Sequence, residues 1–468
     1  MTVPIVVLGA GPAGLGAALR LAERPGFSVT VLEKARSVGG NAGGFELDGI
    51  PVDFGSHRLH PACRPDILAD IQRMLGGDLL LRPRHGRIRL RGRWIHFPLK
   101  PADLLLQLHP SFGMGVVSDA LRKPFLRPAG DDETFATVLE AGLGRTICRD
   151  FYFPYARKIW GVAPATLDPV QAKRRVSAGS LGKMVRKVLN AVPGMRSEHT
   201  GKFFYPRRGF GQISNAYHQA CVEQGVDIRF ESRITGIEVC HGRARAVALE
   251  DGTKLPAGVV LSTIPLPVLV QLMGPAVPSG VLASTRALEY RSMILVYLVL
   301  ETERFTEFDA HYFPGEDVAI TRLSEPKNYS LHEQPTLTVL CAELPCSKDS
   351  PWWSASDEEL SALVQRDLAT SGLPVRVPVR RVAVRRLAQA YPIYTRNYRE
   401  HFDAIDDWVG RVENVLTFGR QGLFAHDNTH HTLAMAYAAA ECLADDGTLD
   451  RARWGEHRRE FESHVVED

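Results

Sequence analysis

This sequence has no unbroken apolar run long enough to cross a bilayer. Its most apolar later stretch, Val259 to Val277, is interrupted by Pro265, Pro267 and Pro275, so no transmembrane segment is expected. Paired-cysteine signals are missing too. The seven cysteines, at 63, 148, 221, 240, 341, 346 and 442, are odd in number and form neither a C-x-x-C pair nor a cysteine-histidine metal spacing. That usage points to reduced thiols and a cytoplasmic protein without a bound metal. An excess of one charge is lacking: 56 basic against 53 acidic residues leave a net +3, and no basic stripe interleaved with aromatics suggests nucleic acid. The basic stretches Lys173-Arg174-Arg175 and Arg380 to Arg386 read as solvated faces. No charged leader with a cleavage site precedes the first strand, so no signal peptide is expected. Internal repeats, low-complexity tracts and long linkers are absent as well. Leu104 to Leu108 and Met114 to Val117 read as buried amphipathic helix rather than as a membrane contact. These exclusions leave a small-molecule substrate as the expected partner, and a homodimer is compatible with them.

What the chain does have is glycine in informative places. Gly9-Ala10-Gly11-Pro12-Ala13-Gly14 follows the apolar run Ile5-Val6-Val7-Leu8, opens an alanine-rich helix, and is answered by Glu33 at the end of a second apolar run. Strand, glycine turn, helix and an acid about twenty residues on form a dinucleotide grip. The glycines allow a tight turn, close approach of backbone to pyrophosphate, and packing of helix on strand. The helix N-terminus offers amide hydrogens to phosphate, and the acid takes ribose hydroxyls.

A second cluster, Gly39-Gly40-Asn41-Ala42-Gly43-Gly44, suits a loop running beside a longer, flavin-bearing ligand. Here the sequence resembles the flavoprotein superfamily of amine oxidases, protoporphyrinogen oxidase, phytoene desaturases and UDP-galactopyranose mutase. Most members end the second cluster in arginine. Asn41 stands in that place and resembles the mutase branch, as does the G-x-H-x-x-H segment Gly55-Ser56-His57-Arg58-Leu59-His60. Near the far end, Val415 to Phe418 reads as a buried strand running into Gly419-Arg420, with a helix from Thr429 to Ala444 capped by Asp427-Asn428-Thr429. The middle of the chain reads as short strands, 227–230, 233–240 and 243–249, ending in the buried run Val259 to Thr263.

The resemblance implies noncovalent FAD held by Gly9, Gly11, Pro12, Ala13, Gly14, Glu33, Lys34, Gly40, Asn41, Gly55, Ser56, His57, Ile234, Thr263, Gly419, Arg420, Asn428 and Thr429. Ile234 would lay its backbone against adenine, and the C-terminal helix would point its positive end at the flavin ring. Because 468 residues exceed what one core usually serves, two domains are expected. They form an α/β fold: a discontinuous Rossmann-like FAD-binding domain, 1–62 with 205–265 and 410–445, and an inserted α+β substrate domain, 63–204 with 266–409. Residues 446–468 form a helical tail.

Aromatics and cations crowd two segments of the substrate domain, Phe151 to Gly161 and Lys202 to Gly211, and recur in Gly92 to Leu99, Arg322 to Tyr329 and Tyr391 to Tyr394. Aromatic faces with cations suit a polar ring, so Arg58, Tyr155, Arg157, Trp160, Tyr205, Arg207, Arg322, Tyr329 and Tyr394 are the candidate substrate contacts. His57 and His60 are the candidate proton acceptors, since imidazole titrates near neutral pH. The expected activity is an FAD-dependent oxidoreductase taking hydride from a C–H beside an amine or hydroxyl, or an allylic C–H, of a sugar-like or secondary-metabolite substrate. The alternative is a redox-neutral mutase acting on a nucleotide sugar, which needs separated arginines on a diphosphate. The segment Ala425 to His431 departs from the mutase's usual tyrosine-rich and acid-rich pattern.

Overall fold

Five parallel strands carry the glycine-rich turns. In order across the sheet they are Val415–Thr417, Val259–Ser262, Val3–Leu8, Phe27–Leu32 and Asp227–Arg229. The computed structural model describes residues 2–98, 103, 107–122, 133–175, 201–331 and 333–466. Strands from the start, middle and end of the chain are thus neighbours in one sheet. The continuous apolar runs explain this, because a parallel strand covered on both faces needs no polar side. One face of the sheet is closed by Ile5, Val7, Val259, Leu261 and Leu416, all buried in a single cluster.

The helix Pro12–Ala22 returns over this sheet, and its small residues let another helix approach. A Cβ on Gly16 would stand 2.9 Å from Leu433 Cδ2, so the C-terminal helix Thr429–Glu441 packs directly on it. Arg20 lies 4.1 Å over the Tyr437 ring, and Arg24 donates to the carbonyls of Ala440 and Leu443 at that helix's end.

A second, seven-stranded sheet runs in the order Val379–Pro392, Tyr290–Leu300, Thr338–Cys346, Arg322–Ser324, Ala310–Tyr312, Gly86–Leu90 and Arg93–Phe97. Its pairs are antiparallel except where Ala310–Tyr312 meets Gly86–Leu90. The strands expected in the middle of the chain form at Asp227–Arg229, Ile234–Cys240 and Arg243–Leu249, with Lys254–Pro256 completing a three-stranded sheet with the last two. All seven cysteines are free thiols.

One expectation is corrected. In the helix Pro110–Arg122, Phe112 faces inward, while Met114, Val117 and Leu121 are 73%, 60% and 70% exposed. The 3.6-residue turn puts Phe112 and Val116 against the core and carries Met114 and Val117 outward. Leu99 and Leu104 to Leu106 lie outside the described residues, as does 176–200 within the expected substrate domain. Among the described residues no helix is long and apolar enough to cross a membrane.

Candidate functional site

The first glycine turn is pinned by the acid that answers it. Glu33 is buried, and its two carboxylate oxygens accept the amides of Ala10 and Ala35, each at 2.9 Å. Gly9 has φ +99°, and a Cβ there would lie 2.7 Å from Thr263 Oγ1. On Gly14 it would lie 1.9 Å from the Gly9 carbonyl oxygen. Gly11 differs: a Cβ there meets nothing nearer than the Gly39 carbonyl oxygen at 4.0 Å. The turn is therefore tight on its inner side and open on the side Gly11 faces. Gly11 also caps the helix Pro12–Ala22 without a side-chain bond, and no acid stands in the first turn. Open space over uncapped amides at a helix N-terminus fits an anionic pyrophosphate.

Two other parts of the chain meet this turn. Thr263 donates its amide and hydroxyl to the Leu8 carbonyl, at 3.0 and 2.8 Å. Gly419, at φ +77°, sits where a Cβ would touch Ala13 Cβ at 2.9 Å and Thr263 Cβ at 3.8 Å. The second glycine cluster closes the other side, with the Gly39 amide on the Ala10 carbonyl at 2.8 Å and Gly40 beside the Gly11 Cα.

Beyond the turn, the site reaches the end of the long strand Val379–Pro392. Asn41 Nδ2 and Gln421 Nε2 both donate to the Gln389 carbonyl, at 3.3 and 2.7 Å. Arg420 donates to the Ala390 carbonyl at 2.7 Å and lies 4.9 Å over the Tyr391 ring. Asn41 thus bridges the two sheets where the resemblance places a cofactor-facing residue.

The segment Gly55–His60 forms the far wall. Ser56 donates its amide to Glu343 Oε1 at 2.9 Å, and the same oxygen accepts Arg322 Nε and Nη2, at 2.9 and 2.7 Å. His57 Nε2 donates to the Phe54 carbonyl at 2.9 Å, which leaves the lone pair on Nδ1, and the ring stacks on Phe210 at 5.3 Å. Burial, helped by the charges of Arg322 and Arg420, holds His57 down to about 4, so the imidazole is neutral at physiological pH. His60 is half-buried, its Nδ1 accepting the Ala62 amide at 3.1 Å. Beneath the segment, the buried Asp53 accepts the Tyr205 hydroxyl and the Phe210 amide, and burial pushes its carboxyl up to about 7.

The candidate substrate contacts gather only in part: Arg58 lies over the Tyr329 ring, which packs on Tyr205, and Arg58 and Arg322 meet at Tyr312. Tyr205, Tyr329 and Tyr394 are buried in the interior. Tyr205 and Tyr329 meet edge to face at 4.6 Å, and Tyr394 donates to the Phe424 carbonyl at 2.8 Å. Trp160 is buried against Phe135. Arg58 is enclosed between Asp309 and the Tyr312 hydroxyl, each at 3.3 Å, and over the Phe203 ring. Arg157 pairs with Glu316 and Arg207 with Asp78, all four side chains at least one third exposed. Tyr155 packs partly buried beside Phe151. Lys158, the other cation of its segment, donates to the carbonyls of Phe313, Gly315 and Ile320. Burial brings its ammonium down to about 7. Of these, Arg58 belongs to the His57 segment, Tyr205 lies beneath it on Asp53, and Arg322 stands beside it on Glu343.

Lys34 is exposed, and Ile234 begins its strand just past the Ser232 amide that donates to the Glu33 carbonyl. Asn428 opens the helix at Thr429, its amide donating to His431 Nδ1 at 3.3 Å. Asp427 departs from the capping expected of it and pairs with His431 and His464. Sequence reading missed Glu343, Asp53 and Gln389. A lone acid inside the apolar strand Thr338–Cys346 is the signal that marks Glu343, because a buried carboxylate needs partners.

The family described as flavin containing amine oxidoreductase matches residues 12–416. Among curated proteins, the chain is 25% identical over 368 residues to 4,4'-diapolycopene oxygenase of Methylomonas sp, covering 74% of this chain and 72% of that protein. It is 27% identical over 296 residues to the zeta-carotene-forming phytoene desaturase of Myxococcus xanthus, covering 56% and 53%. Among solved structures, reduced UDP-galactopyranose mutase superposes with a TM-score of 0.79 at 19% identity, covering 94% of this chain and 93% of that one. Cyclohexylamine oxidase from Brevibacterium oxydans IH-35A gives 0.66 at 16% identity, covering 98% and 100%. These structural likenesses establish a shared fold, a Rossmann-like unit joined to a second unit built on the seven-stranded sheet.

Proposed function

The chain belongs to the family of flavin containing amine oxidoreductases, a flavin-dependent oxidoreductase, and we propose that it takes hydride from a small secondary-metabolite or sugar-like substrate lacking a diphosphate. The reacting C–H is one beside an amine or hydroxyl, or an allylic one. The flavin is noncovalent FAD, held by the residues expected from the sequence, in a unit made of 1–62, 205–265 and 410–445. When bound, FAD supplies the hydride acceptor.

The chain's own residues do the rest. Glu33 fixes the first turn and keeps lone pairs for ribose hydroxyls. The uncapped amides after Gly11 face the phosphates. His57, neutral and with its Nε2–H spent on Phe54, offers a Nδ1 lone pair to a substrate or flavin hydrogen-bond donor. His60, nearer solvent, is the second acid-base group of this reading. Relatives named for polyene oxidation and desaturation favour the allylic case.

One observation supports oxidoreduction over sugar mutation. Arg157, Arg207 and Arg322, three candidate arginines for a diphosphate, are each paired with a different carboxylate: Glu316, Asp78 and Glu343. A clamp on two phosphates needs cations converging on one place. The test is anaerobic mixing of the purified flavoprotein with amines, sugars and polyenes while the visible spectrum is recorded. Bleaching by one class supports the proposal. Turnover only after dithionite, with a product isomeric to its substrate, selects the mutase instead.

A further inference from the structure

At the opening of the C-terminal helix, Asp427 is surrounded by histidine. His431 Nδ1 lies 3.2 Å and His464 Nδ1 lies 3.1 Å from the same oxygen, Asp427 Oδ1. The Asp427 side chain is wholly buried, and its other oxygen, Oδ2, has no hydrogen-bond partner among the described residues. A buried carboxylate oxygen without a donor is costly, on the order of 1–3 kcal/mol, and the Arg174 guanidinium, which feels the charge of Asp427, makes no hydrogen bond to it. The Asn428 amide donates to His431 Nδ1 at 3.3 Å, a bond that His431 gives up when Nδ1 turns to a ligand.

We propose that Asp427, His431 and His464 form a binding site for one divalent transition-metal ion of the zinc class, completed by water. The donor set, two imidazoles and a carboxylate, suits this borderline-soft class. A tetrahedral ion with bonds of about 2.0–2.2 Å sets its ligands roughly 3.3–3.6 Å apart, close to the nitrogen-to-oxygen separations observed. All three ligand atoms lie within 4.8 Å of one another. The two imidazoles now stack at 4.1 Å with 13° between planes. Binding turns them about their Cβ–Cγ bonds so that both Nδ1 lone pairs face the ion.

The site joins distant parts of the chain. His464 follows the helix Arg451–Phe461, and two residues on, the Val466 amide donates to the Arg174 carbonyl at 3.0 Å. An ion here fastens the C-terminal tail to the start of the helix Thr429–Glu441. It is a structural ion, independent of the oxidoreductase reading.

The test uses the untagged, FAD-loaded protein, stripped with chelator and titrated calorimetrically with Zn²⁺. One Zn²⁺ per chain is expected, with a rise in unfolding temperature. His464→Ala, which trims the tail, should weaken binding at least tenfold and abolish that rise while leaving the visible flavin spectrum unchanged. His431→Asn provides a second removal of one ligand. Absence of stoichiometric Zn²⁺ binding to the unmodified chain overturns the proposal, and so does equal binding by both variants.

Discussion

The amide of Ser56 and the carboxylate of Glu343 are joined by a 2.9 Å hydrogen bond although 287 positions separate them. The bond ties the Gly55–His60 segment to the middle of the large sheet, and Arg322 completes it on the same oxygen. Glu343→Ala leaves a mostly buried guanidinium and a backbone amide without their acceptor. A loss of about 3–5 kcal/mol is expected, the usual cost of removing one member of a buried pair. Denaturant unfolding measures it, and Glu343→Gln, which keeps an acceptor, should lose less.

Gly11 and Gly14 separate folding from cofactor retention. A Cβ at Gly14 collides with the Gly9 carbonyl oxygen at 1.9 Å, whereas one at Gly11 stands in open space. Gly14→Ala should therefore yield little folded protein. Gly11→Ala should fold with near-native circular dichroism and purify with less flavin, read from its visible absorbance. Full flavin content in Gly11→Ala would place the pyrophosphate elsewhere.

His57 makes the fold acid-sensitive. Its ordinary value is 6.5 and its folded value about 4, so between those limits the unfolded chain binds a proton that the folded one refuses. Stability is lost as pH falls from about 6.5 to about 4. His311 and His430, both held down to about 3 by burial, act in the same direction. His57→Gln should flatten part of this slope in thermal melts taken from pH 7 to pH 4.5.

Asp53 works against it. Its ordinary value is 3.8 and its folded value about 7, so the folded chain holds the extra proton and stability falls as pH rises across that window. Asp53→Asn, a neutral replacement that still accepts from Phe210, should steepen the acid loss due to histidine and gain stability at pH 8 relative to pH 5. An unchanged pH profile would show that Asp53 is ionised in the folded protein.

Arg157 and Arg207 are expected to matter little. Exposed pairs such as Arg157 with Glu316 contribute roughly 0–1 kcal/mol. Arg157→Ala and Arg207→Ala should keep flavin content and turnover within about twofold. A large rise in KM for either variant would restore it to the substrate site.

What the sequence determined alone lies close together along the chain. Strand, glycine turn, helix and Glu33 were legible because a tight turn, an uncapped helix start and an acid about twenty residues on are local requirements. The apolar runs at Val259 and Val415 likewise announced buried parallel strands, since such strands carry no polar face. The aromatic and cationic segments did not reveal which of their residues the fold would bring together. Composition says that Tyr205, Tyr329 and Tyr394 are amphipathic, but whether each hydroxyl meets solvent, ligand or a carbonyl depends on what the far chain brings to it. Only the tertiary structure decided that Tyr205 reaches Asp53, that Asn41 reaches Gln389, that Glu343 reaches Ser56, and that Asp427 gathers His431 and His464. Each joins residues whose partnership leaves no periodicity in sequence, because a buried polar group is satisfied by whichever partner packing delivers.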